Sequence, residues 1–148
     1  MIYIGSDHRG YEMKEKVKHW LDENDYDYED VGPLEYNKDD DYPDFAEKVG
    51  DKVASDIGSR GILICGSGVG IDVAANKIDG VRAGTISDPK QVQAAVHDED
   101  LNVISLSADF LSEEKAEEIV KAFLETHYEK TERYERRLDK IEDLESEN

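Results

Sequence analysis

Short apolar runs alternate with amphipathic stretches along most of the chain. Five runs have the length and composition of β-strands: Ile2–Gly5, Tyr26–Val31, Gly61–Cys65, Val81–Ile86 and Asn102–Leu106. The third of these is apolar on both faces, which is typical of a central strand. Because strands that alternate with helical stretches form βα units, the pattern predicts an α/β fold with a five-stranded parallel sheet.

Apolar residues spaced three and four apart predict the helices that cover this sheet. The predicted helices run over Arg9–Asn24, from Pro43, over Pro89–His97, over Ser112–His127 with Ser112 as N-cap, and from Thr131. Their expected inward positions are Met13, Val17, Trp20 and Leu21; Phe45, Val49, Val53 and Ile57; Ala116, Ile119, Val120, Phe123 and Leu124; and Tyr134, Leu138 and Ile141. The acidic stretch Glu35–Tyr42 has no apolar period and is expected to be a surface loop.

Length and charge narrow the class of protein. A chain of 148 residues corresponds to a single domain, in which we expect residues 129–148 to form a C-terminal helix and an acidic tail. The 18 basic and 37 acidic residues give a net charge of −19, which argues against nucleic acid and anionic membranes as partners. With one cysteine, Cys65, no internal disulfide can form, so a reducing, cytoplasmic location is expected; no signal peptide or membrane-spanning run is visible.

Ligands of open parallel sheets bind beyond the carboxyl ends of the strands. Three segments with reactive side chains are expected to meet there. Ser6–Gly10 follows the first strand, Cys65–Gly70 follows the third, and His97–Asp100 follows the helix before the fifth.

The segment Cys65–Gly70 (Cys-Gly-Ser-Gly-Val-Gly) is the most informative of the three. Glycines at alternate positions leave backbone N–H groups uncovered, and a helix that begins near Gly70 adds the positive end of its dipole. These features predict a site for an oxyanion, either a phosphate or an enolate, with Cys65 favoured as a thiolate beside it. The alternative is a tight turn whose cysteine is only a small buried side chain. Asp7 likewise has two interpretations: a catalytic role, or a structural role as the cap of the first helix.

Other chemical patterns are weaker. The four histidines are scattered and Cys65 has no second cysteine, so no metal site is expected. A basic cluster (Arg133, Arg136, Arg137 and Lys140) lies in the last helix of an otherwise acidic chain. It predicts a phosphate clamp, and the alternative is pairing with Glu129, Glu132 and Glu135 along the helix.

Together these motifs resemble one enzyme family. The matching segments are Gly5–Gly10, Asp41–Pro43, Gly61–Ile71, Ala74–Lys77 and the pair Arg133 and Arg137. Their order and spacing are similar to those of the ribose-5-phosphate isomerase B family, which also includes the galactose-6-phosphate isomerase subunits. The resemblance runs nearly from end to end of the chain.

The resemblance implies a Rossmann-like three-layer α/β/α sandwich and a metal-free aldose–ketose isomerase that needs no cofactor. The expected reaction converts ribose 5-phosphate to ribulose 5-phosphate through a cis-enediolate, with Cys65 as the base and Ser67 assisting at the sugar oxygens. The implied substrate contacts are Asp7 and Tyr42 along the sugar, the amides of Gly66, Gly68, Val69 and Gly70 at the enediolate, and His8, Arg133 and Arg137 near the phosphate. A homodimer or tetramer with sites at the interface is implied as well.

The chain departs from the family pattern in three places, which involve four residues. Where the family has a histidine that opens the sugar ring, followed by an asparagine, this chain has Asp98 and Glu99. His97 precedes them by one residue, so either Asp98 or His97 is the expected ring-opening acid, or ring opening is left to solution. Asp109 replaces an arginine that contacts the phosphate, and Tyr134 replaces a histidine.

These departures keep two further functions open. One is a hexose-phosphate isomerase of the galactose-6-phosphate type, or one subunit of a heteromeric enzyme with a paralogous partner. The other, of a different class, is a phosphosugar-binding module without catalysis.

Overall fold

A computed structural model describes residues 1–148 and places five strands in one parallel sheet. The strands are β1 (Ile2–Ser6), β2 (Tyr28–Gly32), β3 (Arg60–Cys65), β4 (Ala83–Thr85) and β5 (Val103–Ser107). The helices are α1 (Tyr11–Glu23), α2 (Tyr42–Ser55), α3 (Val69–Ala75), α4 (Pro89–Glu99), α5 (Glu113–Glu125) and α6 (Glu132–Ser146). A short 3-10 turn over His8–Gly10 joins β1 to α1.

The sheet has the order β2-β1-β3-β5-β4, so the apolar strand β3 lies at its centre, as its sequence predicts. Residue Ile62 of β3 pairs with Ile4 of β1 and with Ile104 of β5. All three side chains are fully buried. Strand β4 is only three residues long, shorter than the predicted run.

Two apolar cores cover the two faces of the sheet and make three layers. On one face, helices α1, α4 and α5 pack against the even-numbered residues of the central strands. On the other face, α2 and α3 pack against Leu63, Cys65 and Val103. Because successive side chains of a strand point to opposite faces, this separation follows from the strand register. The predicted α/β/α sandwich is confirmed.

Two of the expected inward positions are wrong. Helix α2 ends at Ser55, two residues before Ile57, and the Ile57 side chain is 99% exposed. Helix α6 has no buried residue, and its Ile141 is 46% exposed because this helix contacts the rest of the chain mainly through α4. No helix combines the length and the apolar character that crossing a bilayer requires.

A fully buried lysine links α1 to the end of β2. The Lys14 ammonium lies 2.8 Å from both carboxylate oxygens of Asp30 and 2.5 Å from the carbonyl oxygen of Pro33. Lys18 also contacts Asp30, at 2.7 Å. Burial by itself raises the pKa of Asp30, but the hydrogen bonds from both lysines outweigh it, so the pKa lies below its usual value.

Lys14→Met should destabilise the protein by about 3 kcal/mol, because it leaves a buried carboxylate with one cationic partner fewer. Urea unfolding followed by circular dichroism measures the change. Lys16→Met is the matched control, since this lysine of the same helix is exposed and its change should stay under about 0.5 kcal/mol. Equal unfolding midpoints for the two variants would contradict this role of Lys14.

Candidate functional site

The candidate site lies at the carboxyl ends of β1 and β3, which we call the carboxyl edge of the sheet. After β1 the chain adds β2 on one side, and β3 then pairs on the other side of β1. This reversal leaves a crevice between the two strand ends, where ligands of open α/β sheets bind. Asp7 follows β1 at this point, and Cys65 ends β3.

The thiol of Cys65 is buried and lies 3.2 Å from the backbone nitrogen of Gly68, which donates a hydrogen bond to it. Gly68 has a φ of +80°, a left-handed conformation that favours glycine. This conformation turns the amide back toward the sulfur. An N–H donor aimed at sulfur stabilises the thiolate, which is the nucleophilic and basic form of cysteine.

Beside the thiol lie backbone amides with no partner in the protein. The N–H groups of Gly66, Ser67 and Gly70 donate no hydrogen bond within the chain. The Val69 amide donates to the Ser67 hydroxyl at 3.1 Å, and the Gly68 amide is taken by the thiol. Four amides were expected to bind an oxyanion, and two of them, those of Gly66 and Gly70, have no partner. The Ser67 amide, which was not among the four, is free as well.

This turn is held rigidly against the end of β5. The Cys65 carbonyl accepts from the Ala108 amide at 2.9 Å, and the Gly66 carbonyl accepts from the Ser107 hydroxyl at 2.7 Å. The Ser105 hydroxyl donates to the Gly68 carbonyl. Three carbonyls of the turn are thus paired with residues at the end of β5, which anchors the turn that carries the free amides.

Asp7 and His8 supply two titratable groups to the same edge. The Asp7 carboxylate is buried and caps the 3-10 turn by accepting from the Gly10 amide at 3.0 Å, as the capping alternative predicts. Burial raises its pKa. His8 is held by Asp40, whose carboxylate accepts from the His8 amide and lies 2.8 Å from Nδ1. This hydrogen bond raises the pKa of His8.

Tyr42 begins α2 and lies over the glycine turn. A Cβ atom at Gly70 would sit 3.0 Å from Cζ of the Tyr42 ring, which is tighter than most Cβ contacts, so the absence of a side chain at Gly70 gives the ring room. Tyr42 is 41% exposed. Asp7, His8, Tyr42, Cys65 and Ser67 therefore meet at one edge, as the sequence predicts.

The third predicted segment lies elsewhere, and its expected location is wrong. His97, Asp98 and Glu99 end α4, which leads into the start of β5 at Val103. Val103 pairs with Gly61 while Ser107 pairs with Cys65. Four residues of strand, about 13 Å, therefore separate this amino edge of the sheet from the thiol. A helix that connects parallel strands runs antiparallel to them, so its last residues lie at the opposite edge.

His97 is held between two carboxylates at the amino edge. Its Nδ1 lies 2.7 Å from Asp98 and its Nε2 lies 2.5 Å from Glu129. The hydrogen bond with Asp98 raises the pKa of His97 and lowers the pKa of Asp98. An acid role for Asp98 near neutral pH requires a shift in the opposite direction. His97 is the better proton donor of the pair.

Arg133 of α6 lies close to this histidine, and neither Arg133 nor Arg137 has a carboxylate partner. Arg133 stacks over the ring of Tyr134, which makes an edge contact with His97. The predicted alternative of pairing along the helix does not occur. Glu129 pairs with His97 and Glu135 with Lys130, while Arg133 and Arg137 pair with no carboxylate of the chain.

Three ion pairs at the carboxyl and amino edges of the sheet were not predicted from the sequence. These are Asp40 with His8, Glu129 with His97, and Arg9 with Asp109. Each joins residues far apart in the chain, and an acidic sequence offers many equivalent carboxylates, so no local signal marks them. No group of three or more His, Cys, Asp or Glu side chains lies close enough to hold a metal ion.

Comparison with known proteins decides the family. The family model described as Ribose/Galactose Isomerase matches residues 2–141. The chain belongs to this family. A probable ribose-5-phosphate isomerase B of Mycoplasma genitalium is 40% identical over 141 residues, which cover 95% of this chain and 92% of that protein. The ribose-5-phosphate isomerase B of Mycobacterium tuberculosis is 33% identical over 144 residues, covering 97% and 89%.

Solved structures of ribose-5-phosphate isomerases share the fold. The Mycoplasma genitalium enzyme with bound ribulose-5-phosphate superposes with a TM-score of 0.93 at 40% identity, covering 99% of this chain and 97% of that one. The type B enzyme of Trypanosoma cruzi gives 0.94 at 32% identity, covering 99% of both chains. The isomerase fold is thus present over the full sheet and its helices.

Asp98→Asn should lower the pKa of His97, because it removes a negative hydrogen-bond partner of the imidazolium. At pH 7 the protonated fraction of His97 then falls. Titration of the His97 ring by NMR measures the shift, with His97→Gln to assign the signal. Asp27→Asn, an exposed charge in the loop before β2, should leave the pKa unchanged. An unaltered His97 titration in the Asp98 variant would contradict this pairing.

Proposed function

We propose that this protein interconverts ribose 5-phosphate and ribulose 5-phosphate, with the Cys65 thiolate as the base. The observation that carries the proposal is the buried thiol, hydrogen-bonded by the Gly68 amide at 3.2 Å and bordered by the free amides of Gly66, Ser67 and Gly70. The 40% identical structure with ribulose-5-phosphate bound supports a pentose phosphate as the substrate.

The geometry suits transfer of a proton between adjacent carbons. The thiolate removes the proton from C2 of the open-chain aldose, and the electron pair moves to form the C1–C2 double bond of an enediolate. The free amides donate to the oxygen that becomes negative. The thiol then returns a proton to C1, while the proton of the C2 hydroxyl passes to the C1 oxygen and the C2 carbonyl forms, so the atoms balance without an oxidant. A free thiol base suits the reducing cytoplasm.

The two edges of the sheet supply halves of one site, and a second copy of the chain brings them together. The sheet separates His97 and the α6 arginines from Cys65 of the same chain, so one chain cannot place both on one ribose phosphate. Exposed apolar side chains border both halves, Val69 and Val73 on α3 and Ile141 and Leu144 on α6. Burying such faces in a two-fold dimer pairs each carboxyl edge with its partner's amino edge.

In this dimer each residue set has a separate task. Arg133 and Arg137, which have no carboxylate partner, bind the phosphate of the sugar held at the other copy's thiol. His97 opens the sugar ring, since its raised pKa favours the protonated form that can donate a proton. Asp98 orients the imidazole, and Glu99 lies beside it at the end of α4. Asp7 and Tyr42 line the sugar beside Cys65.

Complementation between two inactive variants tests the base and the shared site together. Cys65→Ala and the double variant Arg133→Ala/Arg137→Ala should each lose nearly all turnover at ribose 5-phosphate concentrations below the wild-type KM, the first without its base and the second without its phosphate contacts. When equal amounts are mixed and allowed to exchange subunits, half of the dimers are mixed and each has one intact site. About one quarter of the wild-type activity should return.

Each possible outcome is informative. Full activity of Cys65→Ala would exclude the thiol as the base. Loss of activity in both variants without any recovery on mixing, while mass spectrometry shows mixed dimers, would place all site residues within one chain. If the wild-type protein turns over hexose phosphates but not pentose phosphates, the assignment of ribose 5-phosphate as the substrate is wrong.

A further inference from the structure

A charged pair that the reaction scheme leaves unused lies across the glycine turn. Arg9, in the 3-10 turn after β1, extends its guanidinium over Gly66. A Cβ atom at position 66 would lie 2.6 Å from Nε and 2.7 Å from Nη1 of this arginine. The absence of a side chain at Gly66 therefore makes room for a cation directly beside Cys65.

Asp109, just beyond the end of β5, holds this guanidinium in place. Its carboxylate accepts from Nη2 of Arg9, and its own backbone amide donates to the Gly66 carbonyl at 3.0 Å. The carboxylate is thereby tied to the same turn that carries the free amides. Arg9 thus reaches from the end of β1, across the end of β3, to Asp109 just beyond the end of β5.

Most hydrogen-bonding capacity of Arg9 is left unused. A guanidinium has five N–H donors, and Asp109 takes one of them. The Arg9 side chain is 56% exposed on the open side of the crevice. A fixed cation with free donors on a chain of net charge −19 is suited to hold an anionic group that the rest of the surface repels.

We propose that Arg9 binds the phosphate of the sugar phosphate from the same chain that supplies Cys65, and that Asp109 is its positioning residue. This inference rests on the proposed function for its substrate. The phosphate is the permanent dianion of that substrate, whereas the enediolate exists only during the reaction and has three free amides of its own. Arg9 therefore contributes to binding in the ground state and the transition state alike.

Kinetics of Arg9→Ala on ribose 5-phosphate tests this assignment. The KM should rise about tenfold while kcat stays within about threefold, since uniform binding is lost. Inorganic phosphate, used as a competitive probe, should inhibit the variant correspondingly more weakly. Lys121→Ala is the matched control. It removes one exposed cation from α5, so its net charge equals that of Arg9→Ala, and it should change neither KM nor kcat.

Asp109→Asn and the double variant test the positioning role. Asp109→Asn alone should raise KM less than Arg9→Ala does, because the cation remains but is no longer held. Added to Arg9→Ala, it should raise KM no further, so the two changes are not additive. Independent, additive effects would overturn the positioning role of Asp109.

Two other results would overturn the assignment of Arg9. A fall in kcat with unchanged KM would place Arg9 at the enediolate. A lower melting temperature with unchanged kinetics would reduce the pair to a stabilising contact.

If the wild type does not turn over ribose 5-phosphate, the proposed function fails separately. Calorimetric titration of wild type and Arg9→Ala with inorganic phosphate then still tests Arg9, and equal affinities would contradict its role.

Discussion

The hydrogen bond from the Gly68 amide to the Cys65 sulfur is the contact on which the rest of the site depends. It requires a left-handed backbone at Gly68, and the same turn leaves the Gly66, Ser67 and Gly70 amides without a partner in the chain. The turn itself depends on β5, because Ala108 and Ser107 at the end of this strand donate to the carbonyls of Cys65 and Gly66. The thiol and the free amides therefore come from the same few residues, fixed by the packing of two adjacent parallel strands.

Charge is the second constraint on this molecule. With a net charge of −19, the surface repels a sugar phosphate, so cations must be concentrated where the ligand binds. The chain places them in two groups. His8 and Arg9 lie at the carboxyl edge, each held by a carboxylate, while Arg133 and Arg137 lie beside the amino edge without one. The proposed dimer brings the two groups to one phosphate, which links oligomeric state to affinity.

Much of this fold is predictable because its determinants are local. The apolar run of β3, the periodicity of α5 and the glycine turn each define their element within a few residues, and the sequence resemblance locates the thiol. The placement of His97 and Asp98 at the amino edge follows from the direction of α4, which a linear motif does not show. The pairs of Arg9 with Asp109 and of His8 with Asp40 depend on tertiary contacts among 37 acidic residues, so sequence alone could not select the partners.

The central claim is that Cys65 moves a proton between C2 and C1 of ribose 5-phosphate. Incubation of ribose 5-phosphate in D₂O with the wild type and with Cys65→Ala, followed by NMR, tests it most directly. The account predicts ribulose 5-phosphate that carries deuterium at C1 with the wild type, and neither deuterium nor ketose with the variant. Ketose formed without deuterium would point to direct hydride transfer instead, and undiminished exchange in the variant would assign the base to another residue.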